Sequence, residues 1–374
     1  MDAFHKEYEE ILSKIPTSKV GRLFDELKNN LGSRPLVLYG AGRSTAAILD
    51  YCTKYSLPVE CICDSAKTGV FSVGSALPII DPHTLMLEYS QAKVIICSFT
   101  YDAEIYSNLL KIGFLPEQIV RYPAEHLYLE TPQTFKQYLE GYRWAYNFFQ
   151  DDVSRQTVLD RMRLYLLDTP ILTNTSCTMY YEDGYISLSE NEMYVDGGAY
   201  DGNTAEVFIS KMQEAGKPYS RAYAFEPSPT NCEKARHRLS NYKNIEIVQK
   251  GLWSTEKELM FFENAENTGG ASFVICGGSG QIVQTTSLDI FFTGIPDSEL
   301  PTFIKMDIEG AEKEALIGAS DIIRQKKPKL AICAYHKPED VFKLPQTIMG
   351  MRDDYKFALR HHYDGAYDTV LYAV

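Results

Sequence analysis

Positive charge is in short supply in this chain, where 37 Lys and Arg face 50 Asp and Glu for a formal net charge of -13. A groove that displaces counterions from nucleic acid needs a basic face, so the balance argues against broad phosphate-backbone binding and favours a small substrate. Long apolar runs are missing as well. No stretch is apolar for long enough to span a bilayer, and the opening Met1-Asp2-Ala3-Phe4-His5-Lys6-Glu7-Tyr8-Glu9-Glu10 has neither the basic start nor the apolar core of a secretory signal. The expectation is a cytoplasmic protein. Nor do the eight cysteines repeat a metal-type spacing, and most sit inside apolar runs such as Val59 to Cys63 and Val94 to Cys97. Cys61 and Cys63 share one face of a strand, where reduced, buried thiols are expected in preference to a redox or metal pair.

What is present is ordinary globular material, 45% hydrophobic and 23% charged over 374 residues, enough for two domains with separate cores. Two signatures of strand, glycine turn and helix divide it. The first runs from Pro35-Leu36-Val37-Leu38-Tyr39 through Gly40-Ala41-Gly42-Arg43-Ser44-Thr45 into an apolar helix start. Further apolar runs end at Asp64, at Cys97 and near Tyr122, with helical periodicity from Tyr101 to Ile112, and together they predict an open parallel sheet. Gly40 and Gly42 would let the backbone approach a pyrophosphate and Asp64 could hold a ribose. Thr45 stands where a third glycine is usual. The reading is therefore open between a functional phosphate site and a degenerate Rossmann domain that only packs.

From Ala124 to about Thr169 the chain is rich in aromatic and long polar residues at helical spacing. Amphipathic helices bridging two domains are expected, with an aromatic sugar surface or a lid as the functional alternative. The predicted organisation is an accessory domain at 1–123, a helical bridge at 124–180 and a second α/β domain at 181–374.

The second half repeats the pattern with more company. Met193-Tyr194-Val195-Asp196-Gly197-Gly198-Ala199-Tyr200-Asp201-Gly202-Asn203-Thr204 reads as a strand entering a glycine turn and then a helix. The next strand ends in Glu226, at the distance where an acid accepts both ribose hydroxyls. Thr302 to Met306 delivers Asp307-Ile308-Glu309-Gly310, and Lys329 to Ala334 delivers Tyr335 and His336. Two extended runs, Tyr355 to Arg360 and Thr369 to Ala373, close the chain as an antiparallel pair. Alternating strands and helices give a parallel sheet with its ligand at the strands' carboxyl ends.

At these residues the chain resembles the FkbM methyltransferase family. The likeness covers roughly Met193 to Val374 and rests on Asp196-Gly197-Gly198-Ala199 with Gly202 and Thr204, on Phe225-Glu226-Pro227, on Lys305-Met306-Asp307-Ile308-Glu309-Gly310-Ala311-Glu312 and on Asp368-Thr369-Val370-Leu371-Tyr372-Ala373. It implies a class I methyltransferase fold with an antiparallel last strand, S-adenosylmethionine as cofactor, and O-methylation of a sugar, polyketide or similar metabolite. The Asp196 to Gly202 turn would hold the methionine part, Glu226 the ribose, and Gly251 and Leu252 the adenine edge.

Methyl transfer from a sulfonium is an in-line displacement, so the enzyme must align an oxygen and remove its proton. His336 or Asp307 is expected as general base, with Glu309 positioning substrate or cofactor; His361 and His362 are further candidates, since by strand alternation one of them must face the sheet's carboxyl edge or the solvent. Asp307, Glu309 and His336 are also suitable metal donors, but paired acids after the fifth strand are missing and no metal is assigned. The acceptor pocket is expected from Asn264 to Gln284, the helical bridge and the loop Tyr363 to Tyr367. An accessory domain that recognised a nucleotide-linked sugar would suit polysaccharide or glycoconjugate synthesis. Two other readings stand beside this one: a two-domain NAD-dependent oxidoreductase, and a non-catalytic S-adenosylmethionine-binding partner protein. Oligomeric state is left open, a homo-oligomer included.

Overall fold

The computed structural model describes residues 2–72, 76–98, 101–121, 130–169, 175–176, 178–262, 280–363 and 365–374. Contacts group the chain into two compact units, one of Met1–Arg143, Leu159–Ile171 and 364–366, the other of Trp144–Val158, Leu172–Tyr363 and Tyr367–Val374. The stretch expected as a separate bridge is thus shared out: helices Pro132–Phe148 and Asp152–Leu167 each contribute to both units. Their apolar stripe is buried rather than displayed, with Phe135, Tyr138, Tyr142, Ala145 and Phe149 all inside, which leaves little of it for a sugar surface.

The first unit holds strands β1 (Leu36–Tyr39), β2 (Val59–Cys63), β3 (Gly69–Phe71), β4 (Leu77–Ile80), β5 (Lys93–Ile96) and β6 (Ile119–Arg121) in the order β3-β4-β2-β1-β5-β6. All pairs are parallel except β3 with β4. The central strands are buried on both faces and so read as unbroken apolar runs. Cys61 and Cys63 belong to this core as free thiols, and burial pushes the Cys61 thiol up to about 11.

The second unit has an eight-stranded sheet. Its members are β7 (Thr175–Ser176), β8 (Glu192–Gly197), β9 (Tyr219–Phe225), β10 (Ile245–Val248), β14 (Phe303–Met306), β15 (Lys329–Cys333), β16 (Phe357–His362) and β17 (Thr369–Ala373). A small separate sheet is made by β11 (Gly251–Leu252), β12 (Lys257–Phe262) and β13 (Gly280–Thr286). The large sheet runs β10-β9-β8-β14-β15-β17-β16-β7, and only β17 opposes its neighbours, lying between β15 and β16. This is the predicted α/β architecture: parallel-dominated sheets alternating with helices, with one antiparallel strand at the end of the chain. Crossover helices Asn203–Glu214 and Pro229–Arg238 follow β8 and β9. The second starts with Ser228, whose hydroxyl accepts from the Asn231 N–H at 3.3 Å. Buried Tyr194 stacks on Phe208 at 4.2 Å and meets Phe303 at 5.1 Å in a tilted contact, so β8, β14 and the helix after β8 are fixed against one another. Of the insertion expected to shape the acceptor pocket, 263–279 lies outside the described residues.

Candidate active site

β8 and β14 are parallel neighbours in register, with Asp196 opposite Lys305. Both side chains are buried, and the Lys305 ammonium donates to Asp196 Oδ1 at 2.9 Å, to the Gly198 carbonyl at 2.9 Å and to that of Gly197 at 3.2 Å. The Thr204 hydroxyl donates to the other oxygen, Asp196 Oδ2, at 2.5 Å. Asp196 is therefore consumed in tying the turn to the neighbouring strand and the following helix. Breaking such a buried pair leaves a naked charge, at a cost of about 3–5 kcal/mol. Burial pulls the Lys305 ammonium down, but the charges of Asp196 and Asp307 outweigh it and hold its pKa above the ordinary lysine value.

The turn itself depends on glycine where the chain comes closest to β14's end. Gly198 has φ +73°, and a Cβ there would stand 1.8 Å from the Asp307 carbonyl oxygen. Gly202, at φ +86°, opens the helix against Ala235 and Leu239. Gly198 and Ala199 donate their N–H groups to the Phe225 carbonyl, each at 3.0 Å, which seats the turn beside Glu226. Glu226 then accepts from the Tyr200 N–H at 3.0 Å and the Ser228 N–H at 2.9 Å. Burial, the largest influence, pushes its carboxyl up to about 7 against these hydrogen bonds.

Beyond β14, Asp307 accepts the hydroxyls of Tyr180 and Tyr335, both at 2.9 Å, on its two oxygens. Glu309 follows in a left-handed conformation, φ +55°, beside His336 at 3.5 Å. A cavity of about 420 Å³ opens among these groups, lined by Gly198, Tyr200, Thr204, Glu226, Gly251, Leu252, Lys305, Asp307, Glu309 and Asp368, with Tyr180, Tyr181 and Tyr363 as aromatic wall. That is the size of a small-molecule site.

The methyltransferase FkbM domain family matches residues 196–358, the segment that carries β8's end through β16's start and all but the last of these acids. Residues 196–358 thus match an FkbM methyltransferase domain. Among solved structures, methyltransferase FkbM from Methylobacillus flagellatus KT matches 100% of this chain over 99% of its own length, with TM-score 0.60 and 20% identity, and so shares the fold. Aeropyrum pernix fibrillarin, solved with natively bound S-adenosyl-L-methionine, aligns over 51% of this chain and 70% of its own, at 15% identity and TM-score 0.31. A Streptococcus thermophilus rRNA methylase aligns over 50% and 87%, at 14% identity and TM-score 0.32. Likenesses as low as these last two bear on nothing further. No curated protein matches the chain.

Within the FkbM domain, Gly198, Thr204, Glu226, Gly251, Leu252, Asp307 and Glu309 line the cavity, as a shared site requires. Asp196, Gly197, Ala199 and Gly202 do not; they shape the turn behind it. His336 departs from its expected role. Its ring is buried off the cavity, with Glu312 at 2.9 Å, Asp307 at 3.4 Å and Glu309 at 3.5 Å. Burial pulls its pKa down, but these three acids outweigh that and raise it to about 10. An imidazolium has no lone pair for a substrate proton, and the ring is absent from the cavity's lining, so the geometry favours other groups as general base. His361 and His362, one of which was expected at the edge or in solvent, are both buried and bonded to Thr369 at 2.9 Å and Tyr372 at 2.8 Å.

The remaining acids differ in environment. Burial raises the Asp307 carboxyl, but Lys305, His336 and the two tyrosine hydroxyls together hold it below the ordinary range. Glu309 is pushed by burial up to about 7, and Asp368 by burial and Asp307 up to about 6. Sequence reasoning assigned no role to Lys305, Tyr180, Glu312 or Asp368. Lys305 had a signal, a lone charge inside a strand whose every other residue is apolar; Tyr180 had none.

In the first unit, Gly40, Gly42 and Asp64 do come together, but on each other. Asp64 accepts the N–H groups of Ala41 at 2.7 Å and of Ala66 and Lys67 at 2.9 Å. Burial opposes these three bonds, which still hold its carboxyl below the usual value. The buried Thr45 hydroxyl donates to the Gly40 carbonyl and accepts the Gly42 N–H, closing the turn that a third glycine would leave open.

Among the described residues no helix is long and apolar enough to cross a membrane.

Proposed function

We propose that the FkbM domain transfers a methyl group from S-adenosylmethionine to a hydroxyl oxygen of a sugar, a glycoconjugate precursor or a related small metabolite. The observation that carries this reading is one cavity shared by the acid after β9, Glu226, and the acids after β14, Asp307 and Glu309, with the glycine turn after β8 between them. Ribose recognition and proton removal need acids in those two places. The bound cofactor supplies an electrophilic methyl group on a sulfonium. Gly198 and Thr204 would lie against its methionine part, Glu226 would accept ribose hydroxyls, and Gly251 and Leu252 would flank the base. Glu226 fits, since a carboxylate has more acceptor capacity than the two backbone donors on it use.

Glu309 takes the hydroxyl proton in this account, because it lines the cavity and burial raises its carboxyl to about 7, the range that suits a general base. Asp307, fixed by Tyr180 and Tyr335, accepts a second acceptor hydroxyl and so orients the sugar. Calorimetry with S-adenosylmethionine followed by S-adenosylhomocysteine release with candidate sugars tests the reading. Glu309→Gln should lower kcat by about 10²–10⁴ and leave cofactor affinity within about twofold. Absence of cofactor binding contradicts the proposal; binding without turnover on any hydroxyl acceptor favours a non-catalytic binding protein.

A further inference from the structure

Three consecutive residues after β15 grip the turn that carries Asp307 and Glu309. Tyr335 donates its hydroxyl to Asp307 at 2.9 Å, Lys337 donates its ammonium to the Gly310 carbonyl, and His336 stands between them against the acids. Its Nε2 is 3.4 Å from Asp307 Oδ1 and 3.5 Å from Glu309 Oε2, while Nδ1 is 2.9 Å from Glu312 Oε1, in the first turn of the helix Glu312–Ile317. One buried ring thus joins two acids of the cavity wall to a third that is 1% exposed and does not line the cavity.

The turn needs such a grip. Glu309, at φ +55°, precedes Gly310 at φ +91°, so a residue with a side chain is held in left-handed backbone that its surroundings must fix. Glu312 adds a second tie, because the oxygen facing His336 also accepts the Ile308 N–H at 2.9 Å. Charge is arranged around the ring in the same sense. His336 meets Asp307 and Glu309 from the turn, Glu312 from the helix behind it, Asp340 from the helix Asp340–Met351 and Asp368 from just before β17. Two cations act on Glu309, His336 more strongly than Lys305, whose ammonium is engaged by Asp196 and the carbonyls of Gly197 and Gly198.

We infer that His336 is a positioning residue for the acid that takes the acceptor's proton: its imidazolium bridges Glu312 to Glu309, holds the Glu309 carboxylate at the cavity wall and favours its ionised form. Without that cation, burial remains, together with the like charges of Asp307 and Glu312, and all three raise the Glu309 carboxyl. An acid that keeps its own proton cannot accept another. The role in methyl transfer rests on Glu309 being the base proposed above, whereas the bridge is a property of the folded chain that can be read with no acceptor present.

The test is nuclear magnetic resonance on the full-length chain, labelled with ¹⁵N in histidine and ¹³C in the glutamate carboxyls, and titrated from about pH 5 to about pH 10. The His336 ring, recognised by its contact with the Tyr335 ring 4.1 Å away, should keep protons on both nitrogens to about pH 9. The Glu309 carboxyl, assigned by its loss in Glu309→Gln, should titrate at about pH 7 in the unmodified chain and at about pH 8 or above in His336→Gln. With an acceptor in hand, the acid limb of kcat against pH should move by the same interval and S-adenosylmethionine affinity should stay within about twofold, whereas a role in packing alone would lower kcat equally at every pH. A His336 ring that is neutral at about pH 7 overturns the inference even if the variant fails to fold, and so does a Glu309 titration that His336→Gln leaves in place. Both titrations behaving as expected while no hydroxyl acceptor is turned over would contradict the methyl-transfer proposal and leave the bridge standing.

Discussion

The two glycine turns of this chain start from the same local plan and end in opposite states. Each follows a buried parallel strand, opens a helix, and stands beside an acid at the end of the next strand, Asp64 in one and Glu226 in the other. At the first turn the acid folds in upon the loop, taking three backbone N–H groups, while Thr45 stitches Gly40 to Gly42. At the second turn that fastening is delegated to a separate buried pair, Asp196 with Lys305, and Glu226 is left facing a cavity. The acid of the first turn is engaged by three backbone N–H groups, whereas that of the second takes two and lines a cavity where it can meet a ligand.

The largest effect should come from removing the hidden fastening. Lys305→Met leaves Asp196 and Asp307 buried without their cation and should cost about 3–5 kcal/mol in urea unfolding. The nearest equivalent in the first turn, the exposed Lys67 whose ammonium reaches the Ala41 carbonyl at 2.7 Å, should cost less than about 1 kcal/mol when changed to Met. Equal losses would break the contrast.

Glycine substitution comes next. Gly198→Ala forces a Cβ onto the Asp307 carbonyl in a left-handed backbone, and a loss of about 3 kcal/mol is expected together with loss of cofactor binding. Gly40→Ala carries only the backbone strain of φ +112°, since its nearest neighbour, Ser98, would be at 3.6 Å; about 1–2 kcal/mol is expected, with cofactor affinity unchanged.

A smaller, sharper contrast lies in pH. The Glu226 carboxyl is raised from 4.5 to about 7 in the folded chain, chiefly by burial, with Lys305 the nearby charge opposing it. Folding therefore binds a proton, and this group's contribution to stability falls as pH rises from about 4.5 to about 7. The ionised form is the better acceptor for ribose hydroxyls, so cofactor affinity should rise by up to about tenfold between about pH 6 and about pH 8. Glu226→Gln should remove that rise, and a slope that survives in the variant contradicts the assignment.

Much of the FkbM domain was legible in the sequence because its central strands are buried on both faces. Runs such as Phe303 to Met306 are apolar but for one residue and end directly in the motif they deliver. The β3 and β4 hairpin was not foreseen: Val70 is exposed and Pro78 interrupts the second strand, so neither shows a buried or alternating pattern. At the site, residues following a strand were found in place, whereas partners brought from afar were not. Tyr180 reaches Asp307 across 127 positions, and no local pattern announces such a contact. Asp64 and His336 were identified as residues but their surroundings were not, because what occupies a side chain is set by its neighbours in space. For Asp64 these are backbone N–H groups of its own loop, and for His336 three carboxylates.

The most direct test of the central claim is calorimetric titration of S-adenosylmethionine into the unmodified chain, Glu226→Gln and Asp64→Asn at about pH 8. One cofactor per chain is predicted, weakened at least about tenfold by Glu226→Gln, the scale of a lost charged hydrogen bond, and unchanged by Asp64→Asn. Binding that is lost with Asp64 and kept without Glu226 would contradict the account, for it would make the first turn the cofactor site and the second the packing device.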